Sequence, residues 1–144
     1  MVTMKKISWQ YIAGFFDGEG HISIVKHKGK KKYPYHQLRL CVTNTNKKVI
    51  ETLKNKLGGA FIRVLDDKRG KRRKAFYLEI YQNNAIENLL RNIRRYSIVK
   101  RQQIDIGLAF IKQKKKKRHT KELDKKTVAI RQRMMEELKR LKRV

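Results

Sequence analysis

Apolar residues recur along this chain with two different periods, and the switches between them mark out its elements. From Trp9 to Asp17 the spacing is helical, with Ser8 placed to cap the start and Gly18 and Gly20 to end it. His21 to His27 alternates instead: Ile22 and Ile24 fall on one face, His21, Ser23, Val25 and His27 on the other. A basic tip, Lys28 to Pro34, leads into Tyr35 to Thr45, where Leu38, Leu40 and Val42 oppose Gln37, Arg39, Cys41 and Thr43. A period of two predicts paired strands with one buried side.

The pattern then repeats. Val49, Ile50, Leu53 and Leu57 predict a helix over Lys47 to Leu57, stopped by Gly58-Gly59. A second hairpin follows, Ala60 to Leu65 and Lys74 to Tyr81, with a turn through Asp66 to Gly70. Ile62, Val64, Phe76, Leu78 and Ile80 form its apolar side; Phe61, Arg63, Tyr77, Glu79 and Tyr81 form the other. Asn84 to Arg95 is amphipathic, and Ile98 to about Lys114 and Lys121 to about Arg143 read as two further helices. The order predicts an α+β fold, αββαββα with C-terminal helices: a four-stranded antiparallel sheet, covered on one face and bare on the other. The last helix carries an imperfect apolar stripe, Val128, Ile130, Met134, Met135, Leu138 and Leu141, that does not decide where it packs.

Charge narrows the partner. The 144 residues suit one domain, with a core expected over about 7–118 and a basic helix over about 119–144. Lys and Arg number 39 against 12 acidic residues, a net charge of +27, which points to a polyanion and to nucleic acid first. A ribosomal or chromatin protein shares that signature, so charge names a partner and no activity. The single cysteine, Cys41, excludes an internal disulfide and fits a reducing compartment. No apolar run approaches the ~20 residues of a membrane span, and MVTMKKISWQ lacks the apolar core of a secretory signal. An intracellular protein without a membrane partner is expected.

The four histidines lack the paired spacing of a zinc site; His21, His27 and His36 are expected to contact phosphate, bases or solvent from the sheet. The bare sheet face would present Gln37, Arg39, Thr43, Arg63 and the hairpin-tip cations, a surface suited to a DNA groove. Polar outward positions that merely solvate the face are the plain alternative. The run Lys112 to His119 reads by default as a solvated, mobile segment; beside a DNA partner it would add phosphate contacts that carry no sequence information.

The feature that calls for chemistry is Tyr11 to Gly20, YIAGFFDGEG. Its helix ends in two carboxylates, Asp17 and Glu19, where the helix terminus already carries partial negative charge. A cation at that end would relieve the conflict. Residues Ile12 to Gly20 resemble the nine-residue motif of the LAGLIDADG homing endonucleases, with Glu19 where many members carry Asp. The αββαββα order extends the resemblance to about Arg118.

The resemblance implies a saddle-shaped sheet and a pairing of two motif helices at a two-fold axis, through Ala13, Gly14, Asp17 and Gly18. The motif occurs once here, so it implies a homodimer acting on a long pseudo-palindromic double-stranded DNA. It further implies a site-specific double-strand endonuclease, intron-encoded, that hydrolyses phosphodiester bonds with Mg²⁺ and leaves 3′ overhangs; Mn²⁺ or Ca²⁺ would substitute in binding. Glu19 and the Gly18 carbonyl are the hard-oxygen metal ligands it suggests. Asn46 and Lys100 carry over as catalytic residues, near the attacking water and the scissile phosphate. An arginine of the same pocket is replaced by Ile50, so another cation, one from the hairpins, has to substitute. DNA contacts are expected from Ser23, His27, Lys30, Lys32, Gln37, Arg39, Thr43, Arg63, Lys68, Arg69, Tyr77 and Lys116. Two other readings stand beside this one: a maturase of the same fold that binds intron RNA, and a non-enzymatic nucleic-acid-binding protein.

Overall fold

The computed structural model describes residues 6–29, 32–65, 74–116 and 123–142. In chain order these form α1 (Trp9–Glu19), β1 (Gly20–His27), β2 (Tyr35–Asn44), α2 (Lys47–Lys56), β3 (Ala60–Leu65), β4 (Ala75–Ile80), α3 (Asn83–Ile93), α4 (Arg101–Lys116) and α5 (Lys125–Lys142). Ser8 caps α1 by accepting from the Tyr11 amide, and Asn46 caps α2 by accepting from the Val49 amide. After α2 the chain reverses at Gly59, whose φ of 71° favours a residue without a Cβ.

The sheet runs β1-β2-β4-β3 and is antiparallel throughout. Its register sets Ile22 beside Leu40, Ile24 beside Leu38, Leu40 beside Ile80 and Val42 beside Leu78. One face of the sheet is therefore apolar, and all of these residues are buried. The helices close that face: α1, α3 and α4 pack on β1 and β2 or on one another, α2 lies against β2, β3 and β4, and α5 lies along β1 and α4. Gly107 lets α3 and α4 approach, because a Cβ there would sit 2.9 Å from Leu90 Cδ1.

Two expectations need correction, and one question the sequence left open is answered. His36 was expected at solvent or nucleic acid; it is 0% exposed, on the covered face, with Nε2 3.1 Å from Gln132 Oε1 of α5. It shares the parity of Leu38, Leu40 and Val42, so the pleat turns it inward. Helix α4 begins at Arg101, because Ser97 to Lys100 form a separate turn. Helix α5 buries Thr127, Arg131, Met135 and Leu138, a stripe rotated from the purely apolar one. Arg131 is accommodated because its Nε donates to Gln113 of α4 at 2.8 Å.

Candidate active site and nucleic-acid interface

The two carboxylates at the end of α1 have separate fates. Asp17 turns into its own chain. Its Oδ1 accepts from Ser97 Oγ and from the Lys100 amide at 3.2 Å; Oδ2 accepts from the amides of Ile98 at 2.7 Å and Val99 at 3.2 Å. Burial works to raise the Asp17 carboxyl, yet these four hydrogen bonds together hold it below the ordinary carboxylate value. Asp17 thus ties the motif helix to the turn between α3 and α4.

Lys100 completes the junction. Its Nζ donates to the Asp17 carbonyl at 2.5 Å, placing an ammonium at the C-terminal end of α1. The cation that the helix end called for is supplied by the chain itself. Burial lowers the Lys100 ammonium, opposed by the negative charges of Asp17 and Glu19. That coupling puts Glu19 and Lys100 in one electrostatic neighbourhood.

Glu19 is the carboxylate left over. It is exposed, ends α1, and makes no hydrogen bond or ion pair among the described residues. Gly18 beside it is exposed, and the last carbonyls of a helix lack helical partners. Among the described residues no three His, Cys, Asp or Glu side chains converge on one point. A single chain therefore offers one carboxylate and a carbonyl. That donor set fits Mg²⁺ as it is usually held on nucleic-acid substrates, by one or two carboxylates with water and phosphate completing the shell.

A recess of about 680 Å³ opens beside this junction, lined by Gly20, His21, Lys100, Gln103, Arg140 and Lys142 among others. Lys142 Nζ lies 3.3 Å from His21 Nε2. Burial and then the charges of Lys142 and Lys100 lower the His21 imidazole, so His21 favours its neutral form beside two cations. Sequence reading did not place Arg140 and Lys142 here. No local signal could, since it is the docking of α5 that returns its C-terminal end to the start of β1. Ile50, by contrast, is fully buried in the core, so the pocket has no cation at that position.

The other expected residues fall as follows. Asn46 is exposed just past the end of β2, and its Oδ1 is engaged in capping α2. Ala13 is 0% exposed within the single chain, so it faces its own core and is not available to a second copy, contrary to expectation. Gly14 and Gly18 are exposed, and a Cβ built on either meets nothing within 4 Å. With Tyr11 they leave an uncovered face along α1.

On the bare side of the sheet, register joins Ser23 to Arg39, and Tyr77 to both Thr43 and Arg63. His27 Nε2 lies 3.0 Å from Gln37 Oε1, and its ring stacks on Tyr35. The expected set of Ser23, His27, Gln37, Arg39, Thr43, Arg63 and Tyr77 thus shares one surface. Lys32 is exposed over the Tyr33 ring. Lys116 is exposed at the end of α4, the end where Lys114 lies over the Tyr35 ring. Burial, then the Arg131 charge, pushes the Lys114 ammonium down to about 8. Lys30, Lys68 and Arg69 lie outside the described residues.

Residues 12–112 match the profile of the LAGLIDADG endonuclease family. No curated protein matches the sequence. Among solved structures the chain resembles the homing endonuclease I-TnaI, with a TM-score of 0.77 and 15% identity over 96% of this chain and 96% of that one. It also resembles the archaeal intron-encoded homing endonuclease I-Vdi141I complexed with DNA, with a TM-score of 0.75 and 21% identity over 92% and 82% of the two chains. The homing endonuclease I-CvuI, bound to a target DNA with 2 mM Mg, gives a TM-score of 0.75 and 17% identity over 92% and 80%. No helix among the described residues is long and apolar enough to cross a membrane. At these identities the structural likeness establishes a shared fold, and with the family match spanning most of the sequence, the chain belongs to the LAGLIDADG endonuclease family.

Proposed function

We propose that this chain is a homodimeric, Mg²⁺-dependent, site-specific double-strand DNA endonuclease, intron-encoded and acting on a long pseudo-palindromic target to leave 3′ overhangs. The observation that carries the reading is Glu19: an exposed, unpaired carboxylate at the end of the motif helix, electrostatically coupled to Lys100. The DNA complexes of solved structures with the same fold support DNA as the substrate, and the presence of Mg, with the DNA not cleaved, in one and of Ca in another is in keeping with divalent-ion use.

The residues divide the work by position. Glu19 and the Gly18 carbonyl would hold the ion, which supplies an activated water and offsets charge on the scissile phosphate. Lys100, anchored on the Asp17 carbonyl, offers its ammonium to the developing negative charge. Asn46, fixed as a helix cap just past β2, borders the sheet end where Gly20 pairs with Val42, and orders solvent there. Arg140, Lys142 and His21 bind backbone phosphate beside the cut, taking the place of the cation lost at Ile50. The bare sheet reads bases through Gln37, Arg39, Thr43, Arg63, Tyr77, Ser23 and His27; Lys32 and Lys116, with Lys30, Lys68 and Arg69, hold flanking phosphates. The exposed Gly14 and Gly18 positions allow the close backbone approach of a second α1.

The test is cleavage of a duplex selected by the protein from a randomised pool, in Mg²⁺, beside Glu19→Gln. The native protein cuts both strands, and the variant binds the same duplex without cutting it. Cleavage by both proteins, or binding of intron RNA with no cut by either, contradicts the reading.

A further inference from the structure

The four strands contain one carboxylate, Glu79 of β4. It lies on the sheet face that the proposed function assigns to DNA, where a negative charge opposes phosphate. Although on the bare side, it is only 7% exposed. Its Oε1 lies 2.9 Å from Arg63 Nη2 and 3.6 Å from Arg39 Nη2, and its Oε2 accepts from the Tyr81 hydroxyl. Arg39 Nη2 also donates to the Tyr81 oxygen at 2.9 Å. Each guanidinium lies near an aromatic ring: Arg39 is 4.8 Å from the Tyr81 centroid and Arg63 5.7 Å from that of Tyr77.

With both oxygens engaged, Glu79 has little left to offer a base. What it does is bring two arginines together. Register pairs Glu79 with Cys41 and with Phe61. Arg39 lies two residues to one side along β2, and Arg63 two residues to the other along β3. Extended strands therefore start the two side chains about 13 Å apart along the sheet, roughly four base-pair steps of a duplex. Convergence on one carboxylate oxygen draws the guanidinium groups to within about two such steps. Their side chains keep 32% and 60% exposure, so both groups remain open to a groove.

We infer that Glu79 is a positioning residue for DNA readout: it holds Arg39 and Arg63 in fixed planes so that they address guanines on neighbouring base pairs. An arginine fork matches guanine O6 and N7, and each such pair discriminates against a wrong base by a factor that depends on its plane being held. This inference rests on the endonuclease reading, and its test separates the two.

The full-length protein is used to select from a randomised duplex library in Ca²⁺, alongside Arg39→Ala, Arg63→Ala and Glu79→Gln. The native protein enriches guanine at two base pairs of each half-site, no more than two steps apart. Each arginine variant flattens one of them, and Glu79→Gln flattens both by about fivefold or more, while its affinity for unselected duplex does not fall. Loss of a negative charge without loss of non-specific binding is what a purely structural role does not give. A Glu79→Gln profile equal to the native one, or altered at base pairs other than those two, overturns the inference. Should that variant fail to fold, Tyr81→Phe removes the hydroxyl between Arg39 and Glu79 and flattens the Arg39 position alone; an unchanged profile there overturns it too. A native protein that enriches no sequence overturns the endonuclease reading, and the inference with it.

Discussion

Replacing Asp17 with Asn keeps the shape of the side chain and removes its charge, at the point where α1 meets the turn before α4. The carboxylate accepts four hydrogen bonds, two on each oxygen. The amide keeps one acceptor oxygen, so two of the four bonds are lost, and an NH₂ group faces two donors. Hydrogen bonds to a charged group are worth about 1.5–3 kcal/mol each. Ile98 and Val99 are 87% and 70% exposed, so their amides recover water when released, which favours the lower end. The expected loss is about 3 kcal/mol, a shift of about 1–2 M in the urea midpoint for a chain of this size. Acid provides a second reading. The folded carboxyl lies below its ordinary value of 3.8, so its contribution is complete above about pH 4 and is lost as pH falls through the lower folded value. The gap between native and variant therefore narrows as pH falls below 4. A midpoint shift under about 0.3 M, or a gap of the same size at pH 7 and pH 3, would refute this account of Asp17.

Other outcomes follow from the same geometry. Lys100→Met should leave duplex binding nearly intact and lower kcat by about 10²–10³, as for loss of a group that meets developing charge; single-turnover cleavage with a parallel binding titration checks it. Gly14→Ala should stabilise the isolated chain by about 1 kcal/mol while weakening self-association, read by thermal melting and sedimentation; an unchanged association constant would free α1 of the pairing role. Gly107→Ala should cost up to about 2 kcal/mol, since the clash of its Cβ with Leu90 Cδ1 at 2.9 Å costs about 1–3 kcal/mol and the helix propensity gained at this α4 position offsets about 1 kcal/mol of it; thermal melting checks it. His36 is lowered chiefly by burial, aided by the charges of Lys26, Arg131 and Lys114 and opposed by its bond to Gln132. The unfolded chain therefore takes up its proton first, and stability declines as pH drops below about 6.5. His36→Gln should remove up to about 1.4 kcal/mol per pH unit of that slope, measured by urea titration between pH 7 and pH 5.

The strands were legible because Ile22, Ile24, Leu38, Leu40 and Val42 alternate with polar residues and one face of the sheet is buried. The same parity carried the correct inward placement of His36, which its chemistry concealed. Helix α4 was begun too early because Ile98 and Val99 are apolar and fit a helical period. Their turn is fixed by Asp17, some eighty positions away, and no local pattern contains that bond. For α5, Thr127 and Arg131 hold core positions that a count of apolar residues assigns elsewhere. At the site, the motif pointed to Asp17 and Glu19 together. The resemblance gave Glu19 to metal and Asp17 to the helix pairing; the hydrogen bonds show Asp17 engaged with its own chain and Glu19 unengaged. Arg140 and Lys142 were hidden for the same reason as the turn: they reach the recess through tertiary docking. Glu79 read as one more polar residue on an alternating strand until register showed two arginines converging on it.

The account turns on each protomer contributing one Glu19 to the cutting of one strand. Mixing native protein with an excess of Glu19→Gln, allowing subunits to exchange, and adding a supercoiled plasmid that carries the selected duplex tests this directly. Mixed dimers should nick a single strand, so open-circular DNA accumulates in proportion to the mixed fraction. Linear DNA as the sole product at every mixing ratio would mean that one chain cuts both strands unaided, and the shared site would have to be abandoned.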